Sequence, residues 1–343
     1  MTDASAGPMT PLKVLVTDPI MSRFEAELRR SGEAHEWTIA AGWGPDMLLA
    51  AVREADVLVC SSMTPELAAA APRLQLVHTT GAGFDKIPFA SLADGVRVAN
   101  TFHHARPIAE HVMMVSLMLS RRVLSVDRQL RSGTRRTVAN DPDVPFHSSF
   151  EGRTVGLLGF GSIGTEVARV LGSLGMRVRA VRRNPAGAVP DDVTLDWVGG
   201  VADLPELLAA SDVVVVTLPL SDATRGLINA EALSAMRPDA ILVNVARGPV
   251  IDEEALVGAL TAGTIGGAAL DVWWGAPDDQ GNAPASVRAF ADFDNVVLTP
   301  HYSGHALRTF ELRAADIVDN VNRLVSGLPL FNVVHPAASP LQE

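Results

Sequence analysis

Short apolar runs rich in Val, Leu and Ile recur along the chain and alternate with longer segments of helical periodicity. In the first half the runs are LKVLVTD, ADVLVCS and LQLVHTTG, separated by helix-like segments such as SRFEAELRRSG and PDMLLAAVREA. Continuous apolar runs of this length are typical of strands buried on both faces, and their alternation with helices predicts a parallel sheet covered by helices. One long helix is then predicted over residues 106–132.

The same pattern begins again near residue 150. Six further strand candidates follow: RTVGLLG, MRVRAV, SDVVVVTLP, DAILVNV, IGGAALDV and NVVLTPH. We therefore predict the α/β class, with two Rossmann-like, doubly wound parallel sheets in two domains. The length of 343 residues agrees, because it exceeds what one hydrophobic core usually supports. A last helix is predicted from about residue 305 to 327, and it could return to the first domain.

Composition and charge narrow the class of protein. Hydrophobic residues make up 48% of the chain and charged residues 20%, as in ordinary globular proteins. The net charge of -11, without a long basic run, argues against a nucleic-acid partner. No run approaches the roughly 20 apolar residues of a membrane span, so no membrane partner is expected.

The cysteine count and the N-terminus carry two further expectations. Cys60 is the only cysteine, which excludes an intrachain disulfide and a cysteine metal cluster and fits a cytoplasmic protein. No other metal-binding spacing occurs, so we expect no metal. The stretch MTDASAGPMT lacks a basic region followed by an apolar core, and it is interpreted as a frayed end rather than a signal peptide.

A dinucleotide-binding fingerprint opens the second sheet. GFGSIG, residues 159–164, follows a strand and begins a helix, so its glycines let the backbone approach a pyrophosphate at the helix N-terminus. The fingerprint normally continues with Asp or Glu at the end of the next strand, whereas here Arg182 and Arg183 follow MRVRAV. A guanidinium cannot accept a hydrogen bond from a ribose hydroxyl but suits a 2′-phosphate. We therefore expect NADP to be preferred, with NAD as the alternative cofactor.

Several longer motifs resemble the D-isomer-specific 2-hydroxyacid dehydrogenase family. They are TLPLSDATRGLIN, VNVARGPVIDEEALVGAL, GAALDVW, TPHYSG and GLPLFNVV, with weaker matches in LVHTTGAGFDKIP and IAEHVMMVSLML. The resemblance implies NAD(P)-dependent hydride transfer between a small 2-oxo acid and its D-2-hydroxy acid, as in glyoxylate or hydroxypyruvate reductases. It also implies a homodimer and a discontinuous substrate domain, residues 1–108 and 305–343, around a cofactor domain, residues 109–304, with the active site in the cleft.

The resemblance also assigns roles to individual residues. Arg247 matches the arginine that binds the substrate carboxylate and carbonyl, and His301 matches the general acid and base. The backbone N–H groups of Gly81, Ala82 and Gly83 match the loop that holds the same carboxylate. The positions that match cofactor contacts are Gly159, Gly161, Ser162, Ile163, Gly164, Arg182, Arg183, Pro219, Thr224, Val245, Ala246, Asp271, Ser303 and Gly304.

The stretch GAALDVWWGAP departs from the family at one position. The family has a glutamate five residues after the position of Asp271, and its carboxylate binds the catalytic histidine and favours the imidazolium. Here that position is Ala276. Asp278 or Asp279 could replace the carboxylate if their loop folds inward, and otherwise reduction should fade as the pH rises.

Two other functional classes remain open at this point. One is a dehydrogenase of the same fold that acts on formate or phosphite. The other is a cofactor-binding module without turnover, comparable to the co-repressor branch of the family. Arg247 and His301 favour an enzyme, whereas the missing carboxylate mildly favours the module.

Overall fold

The computed structural model describes residues 10–278 and 280–335, and these residues divide into two compact units. Of the described residues, 10–103 and 306–335 form the discontinuous unit, and the inserted unit lies between them, from residue 104 to residue 305. The N-terminal residues 1–9, for which a frayed end is predicted, lie outside the described residues, and so does Asp279.

The discontinuous unit contains a six-stranded sheet in the order β13-β5-β4-β3-β1-β2. All neighbouring strands are parallel except β13, which runs antiparallel to β5. The strands are β1 (Lys13–Val16), β2 (Glu36–Ile39), β3 (Val57–Cys60), β4 (Leu76–Thr79), β5 (Arg97–Ala99) and β13 (Val333–His335). The helices are α1 (Glu25–Ser31), α2 (Pro45–Val52), α3 (Pro65–Ala69) and α10 (Leu307–Val325), with 3-10 turns at Met21–Phe24 and Phe89–Ser91.

The buried apolar runs form the centre of this sheet, as predicted. Every residue of β3 and β4 is buried, whereas β2 at the edge buries chiefly Trp37 and was not predicted from its short, mixed sequence. Helix α10 packs in the same core as β1, β3 and β4, and it buries Phe310, Ile317 and Val321. The last helix therefore returns to the unit in which the chain begins.

The inserted unit contains a seven-stranded parallel sheet in the order β12-β11-β10-β9-β6-β7-β8. Its strands are β6 (Thr154–Leu158), β7 (Arg177–Val181), β8 (Trp197–Gly199), β9 (Val213–Val216), β10 (Ile241–Asn244), β11 (Gly267–Leu270) and β12 (Val296–Leu298). Its helices are α4 (Ala105–Ser120), α5 (Val123–Arg131), α6 (Ser162–Gly172), α7 (Leu204–Ala210), α8 (Ala230–Ser234) and α9 (Glu253–Ala262), with 3-10 turns at Val201–Asp203, Gly248–Val250 and Ala285–Phe290. The two parallel α/β sheets confirm the predicted fold class.

The single long helix predicted over residues 106–132 is wrong in one respect, because the chain forms two helices there. Helix α4 ends at Ser120, and Arg122 adopts a left-handed backbone conformation with φ 52°. A left-handed residue cannot continue a right-handed helix, so α4 ends before Arg122 and α5 is a separate helix. Helix α5 has no buried residue, and the sequence periodicity alone did not reveal the break.

The strand order places the functional edge of the inserted sheet. From β6 the chain adds β7 and β8 on one side and then crosses to β9 on the other side. In such sheets a crevice opens at the carboxyl ends of the strands where the direction reverses, here between β6 and β9. The turns after β6, β9, β10, β11 and β12 all lie at this edge. Of the described helices, none combines the length and apolar character needed to span a bilayer.

Candidate active site

The N-terminus of α6 has the shape and polarity of a phosphate cradle. Gly159 directly follows β6 and has φ 104°, a conformation that L side chains rarely adopt, and a Cβ on Gly164 would lie 2.5 Å from the carbonyl oxygen of Gly159. Gly161 has open space where its Cβ would be, and no described side chain caps the helix. The first turn, Ser162 to Gly164, contains no acidic residue. The exposed N–H groups and the positive end of the helix dipole could hold the pyrophosphate of a dinucleotide.

Thr217, which follows β9, supports this glycine turn from the neighbouring strand. Its hydroxyl donates to the carbonyl oxygen of Gly159 at 3.0 Å, and a Cβ on Gly159 would lie 2.9 Å from the same hydroxyl oxygen. In the following loop, Thr224 donates to the carbonyl oxygen of Pro219 at 2.8 Å. The structure therefore brings Gly159 and Gly164 together, and separately Pro219 and Thr224.

Arg182 and Arg183 follow β7 at the same edge but have different surroundings. The Arg182 guanidinium donates to the carbonyl oxygens of Pro185 and Ala188, each at 3.0 Å, and to that of Gly187. These bonds fold the loop after β7 around Arg182, so most of the N–H donors of the guanidinium already bind carbonyl oxygens of that loop. Arg183 is exposed. Of the two, Arg183 is the guanidinium better placed to meet a 2′-phosphate.

Arg247 is held by the turn that follows β10. The side chain of Asn244, which is fully buried, accepts from the N–H group of Ala246 at 3.1 Å and donates to the carbonyl oxygen of Arg247 at 3.1 Å. The guanidinium of Arg247 is partly buried and donates to the carbonyl oxygen of Ala246 at 2.8 Å. Val245 and Ala246 are themselves buried, so this turn is tightly packed below a half-exposed arginine.

His301 lies in a turn that is clamped by Asp271. The carboxylate of Asp271, only 1% exposed, accepts the Thr299 hydroxyl at 2.6 Å and the backbone N–H groups of Tyr302 and Ser303 at 3.0 and 3.1 Å. The backbone of His301 is left-handed, with φ 58°, which costs free energy for a non-glycine residue unless the surrounding structure enforces it. The Asp271 bonds on both sides of His301 provide that enforcement.

Two further groups border the His301 turn within the inserted unit. The ring of His111 on α4 meets the Tyr302 ring edge-on, with centroids 5.7 Å apart. Burial lowers the pKa of His111, and the charge of Asp271 opposes that shift. Gly304 lies against the start of α4, where a Cβ would be 3.1 Å from the Cβ of His104. A side chain at position 304 would therefore displace this packing.

Ala276, the position of the missing glutamate, is exposed. The carboxylate of Asp278 accepts from the backbone and side-chain nitrogens of Asn282, each at 2.8 Å, and from the N–H group of Gln280 at 3.0 Å. These bonds lower the pKa of Asp278 and commit its carboxylate to the local loop. The other substitute suggested by the sequence, Asp279, lies outside the described residues.

The glycine loop of the discontinuous unit follows β4. Its carbonyl oxygens are held from below, since Thr79 donates to Gly81 at 3.0 Å and Asn100 donates to Ala82 at 2.9 Å. Arg313 on α10 approaches the loop, with its Nη1 atom 3.9 Å from the place where a Cβ on Gly81 would be. Burial lowers the pKa of Arg313 to about 10, although the charges of Asp18 and Asp316 oppose the shift. A partly buried cation therefore lies beside the predicted carboxylate-binding loop.

Sequence reasoning did not identify several residues that shape these turns. They are Thr217, Asn244, Trp273, Trp274 and Arg313. Thr217 and Asn244 each end a predicted strand, which was the available signal, because polar residues at the carboxyl ends of parallel strands gather at one edge. Arg313 is one of several arginines on its helix, and the pattern does not distinguish it from the others.

Comparison with known proteins identifies one family of dehydrogenases. The model of the NAD binding domain of the D-isomer specific 2-hydroxyacid dehydrogenases matches residues 113–303. The glyoxylate reductase of Thermococcus onnurineus (strain NA1) is 36% identical over 296 residues, covering 84% of this chain and 85% of its own length. The glycerate dehydrogenase of Methylorubrum extorquens is 30% identical over 313 residues, covering 89% and 94%.

A solved structure matches the fold over nearly the whole chain. It is a D-isomer specific 2-hydroxyacid dehydrogenase from Xanthobacter autotrophicus Py2 in complex with NADPH and MES, with a TM-score of 0.75 and 29% identity. The match covers 95% of this chain and 98% of that one. The chain belongs to the D-isomer specific 2-hydroxyacid dehydrogenase family and is an NAD(P)-dependent oxidoreductase acting on the CH–OH group of D-2-hydroxy acids.

Proposed function

We propose that this dehydrogenase reduces a small 2-oxo acid of the glyoxylate or hydroxypyruvate type to the D-2-hydroxy acid, with NADPH as the preferred hydride donor. The proposal rests on Arg247 and His301, which follow β10 and β12 on either side of β11, at the edge where α6 begins. The likeness to a glyoxylate reductase and a glycerate dehydrogenase supports the choice of substrate class.

Each side chain has a separate task in the proposed reaction. The bound nicotinamide supplies the hydride in reduction and accepts it in oxidation. The planar fork of Arg247 binds the substrate carboxylate and polarises the carbonyl oxygen through two charge-assisted hydrogen bonds. The imidazolium of His301 donates its ring N–H proton to the oxygen that gains negative charge, and the neutral ring takes the hydroxyl proton in the reverse direction.

For the discontinuous unit we propose that the backbone N–H groups of Gly81, Ala82 and Gly83 bind a substrate carboxylate. The partly buried guanidinium of Arg313 beside Gly81 supports an anionic ligand there. On this assignment the substrate domain consists of residues 1–108 and 305–343, and the cofactor domain of residues 109–304.

The NADPH preference rests on the end of β7. Arg183 is exposed there and no carboxylate follows the strand, so a ribose 2′-hydroxyl lacks its usual acceptor while a 2′-phosphate gains a donor. Arg182 contributes by holding the loop of residues 185–188 in place. Replacing both arginines with alanine should weaken NADPH binding far more than NADH binding.

The direct test follows the absorbance of the reduced nicotinamide. Purified protein is mixed with NADPH or NADH and with glyoxylate, hydroxypyruvate, pyruvate and longer 2-oxo acids, and the hydroxy acid product is analysed for its D configuration. Turnover with the small oxo acids, faster with NADPH, is the expected result. Oxidation of formate or phosphite in place of oxo acid reduction would instead identify the one-carbon or inorganic-anion class. Cofactor binding without any turnover would favour the binding module.

We also propose that two copies of the chain associate through α5 and the segment that follows it. Val123, Val126 and Leu130 are spaced along one face of α5 and are 42%, 48% and 61% exposed, and Phe146 is 86% exposed. A nine-residue helix that buries none of its residues is marginal on its own, so packing against a second copy would stabilise it. Light scattering should give the mass of a dimer, and Leu130→Glu should give a monomer. Leu174→Glu, at a 36% exposed site elsewhere in the unit, is the control that should remain dimeric.

A further inference from the structure

We propose that the adjacent tryptophans of the DVWW segment are positioning residues with separate targets: Trp273 orients the turn of His301, and Trp274 orients the segment of Arg247. The inference deepens the proposed function, since it rests on the roles given there to Arg247 and His301. Neither indole is assigned a contact with substrate or cofactor.

Trp273 acts on the segment between β12 and His301. Its Nε1–H group donates to the carbonyl oxygen of Thr299 at 3.0 Å, two residues before His301. Thr299 is also the residue whose hydroxyl is bound by Asp271 at 2.6 Å. Two side chains of one short segment therefore hold the backbone that leads into the left-handed His301 turn. Asp271 accepts the hydroxyl of Thr299, and Trp273 donates to its carbonyl oxygen. This support reaches His301 through its backbone and needs no carboxylate at position 276.

Trp274 acts on the other catalytic segment. Its Nε1–H group donates to the carbonyl oxygen of Ile251 at 2.8 Å, at the end of the 3-10 turn that begins directly after Arg247. The backbone of the tryptophan pair also touches this turn, because a Cβ on Gly248 would lie 2.4 Å from the carbonyl carbon and oxygen of Trp273 and 2.9 Å from the nitrogen of Trp274. The segment thus contacts the Arg247 turn directly and reaches the His301 turn through the first indole.

Both indole rings pack against the same buried side chain, whereas their N–H groups bind different residues. The two tryptophans therefore allow a packing role to be distinguished from a positioning role. Trp274 stacks on Phe290 with centroids 5.7 Å apart, and Trp273 meets the same ring at 6.4 Å. Phe290 is fully buried. If the tryptophans only filled the core around Phe290, removing either indole N–H group would have similar consequences. If they position different residues, the consequences differ in kind.

The test compares Trp273→Phe with Trp274→Phe, two identical changes at neighbouring sites. Each removes one neutral hydrogen bond, which corresponds to about a three- to tenfold effect on a rate or an equilibrium. For Trp273→Phe we expect kcat for 2-oxo acid reduction to fall by about that factor, with KM for the oxo acid nearly unchanged. For Trp274→Phe we expect KM for the oxo acid to rise by about that factor, with a smaller change in kcat.

A second readout does not depend on activity. In protein labelled at histidine and arginine side chains, the imidazole NMR signals of His301 should move in Trp273→Phe and stay at their wild-type positions in Trp274→Phe. The guanidinium signal of Arg247 should show the opposite response. Should Trp273→Phe fail to fold, benzothienylalanine at position 273 removes the N–H donor and keeps the shape of the ring.

The outcomes distinguish failure of the positioning roles from failure of the proposed reductase activity. Equal changes in kcat and KM for both variants, or His301 signals that respond equally to both, would overturn the positioning roles while leaving the reductase proposal intact. A wild-type protein that turns over no 2-oxo acid would overturn the reductase proposal, and the NMR comparison would still decide which residues the tryptophans orient.

Discussion

The buried carboxylate of Asp271 accepts the backbone N–H group of Ser303 at 3.1 Å, across 32 positions of sequence. With the bonds from Thr299 and Tyr302, it brackets His301 on both sides. The resemblance assigns Asp271 to the nicotinamide, and that assignment stays a prediction. In the structure its oxygens already accept three hydrogen bonds from the turn of His301, which makes it a structural clamp as well.

Asp271→Asn should therefore reduce both activity and stability. The amide has one acceptor oxygen where the carboxylate has two, and its NH2 group would face a backbone N–H donor. We expect the free energy of unfolding to fall by about 1 to 3 kcal/mol and kcat/KM for the oxo acid to fall at least about tenfold. Urea denaturation and steady-state kinetics measure the two effects.

The matched control for this change is Asp212→Asn. Asp212 is 9% exposed and accepts the backbone N–H group of Thr154 at 2.7 Å, at the opposite edge of the same sheet. This variant should lose stability but keep kcat/KM. Equal kinetic losses in the two variants would show that Asp271 has no special relationship to His301.

The single variants Arg182→Ala and Arg183→Ala should have different effects, because only Arg183 is proposed to bind the 2′-phosphate and only Arg182 holds the loop after β7. Arg183→Ala should weaken NADPH binding by at least about tenfold, the value of a charge-assisted hydrogen bond, and leave NADH binding nearly unchanged. Arg182→Ala frees the loop of residues 185–188 and should lower the melting temperature in the absence of cofactor. Calorimetric titration with both cofactors decides, and equal losses for NADPH and NADH in Arg183→Ala would contradict the assignment.

Arg247→Lys keeps the positive charge but loses the planar fork. We expect kcat/KM for the oxo acid to fall at least about tenfold, because a lysine cannot bind the carboxylate and carbonyl together in the same geometry. NADPH affinity should change little. Steady-state kinetics and a cofactor titration on the same sample test both statements, and wild-type efficiency in this variant would remove Arg247 from the substrate site.

The pH dependence of reduction should respond to a carboxylate at position 276. On the proposed mechanism, reduction needs the protonated ring of His301. A neighbouring carboxylate raises the pKa of an imidazole because it stabilises the charged form. Ala276→Glu should therefore extend reductive activity to higher pH, provided the new side chain reaches the ring. Ala276→Gln, which lacks the charge, is the control, and Asp278→Asn should leave the profile unchanged because Asn282 already binds Asp278. A wild-type profile that already extends to high pH and does not move in Ala276→Glu would refute the expected effect of a carboxylate at position 276.

The stability of the protein should fall as the pH is lowered through the range set by His78. Burial in β4 lowers the pKa of His78 from 6.5 to about 4. Between these values the unfolded chain binds a proton that the folded chain excludes, so stability is complete above about pH 6.5 and decreases toward pH 4, by about 3 kcal/mol in total. Urea denaturation at a series of pH values should show this slope, and His78→Gln should reduce it. The exposed His147→Gln should leave the slope unchanged.

Local sequence determined the strands that are buried on both faces and the turn of the cofactor cradle. The runs that became β3 and β9 are apolar at every position, since neither face of a central parallel strand meets water. The glycine at position 159 was also predictable from the motif. The turn needs a φ of 104°, which glycine adopts readily and other residues rarely adopt. The motifs around Arg247 and His301 are long and specific enough to single these two residues out, and their catalytic roles stay predictions.

Only the tertiary structure decided which groups hold those residues in place. Trp273 reaches Thr299 across 26 positions and Trp274 reaches Ile251 across 23, and nothing in the local pattern tells the two indoles apart. Arg182 and Arg183 are also indistinguishable in sequence, yet one binds its own loop and the other is exposed. The two indole hydrogen bonds join segments that are remote along the chain, and each requires a specific distance and angle. Those distances and angles are set only when the sheet brings the ends of β10, β11 and β12 side by side.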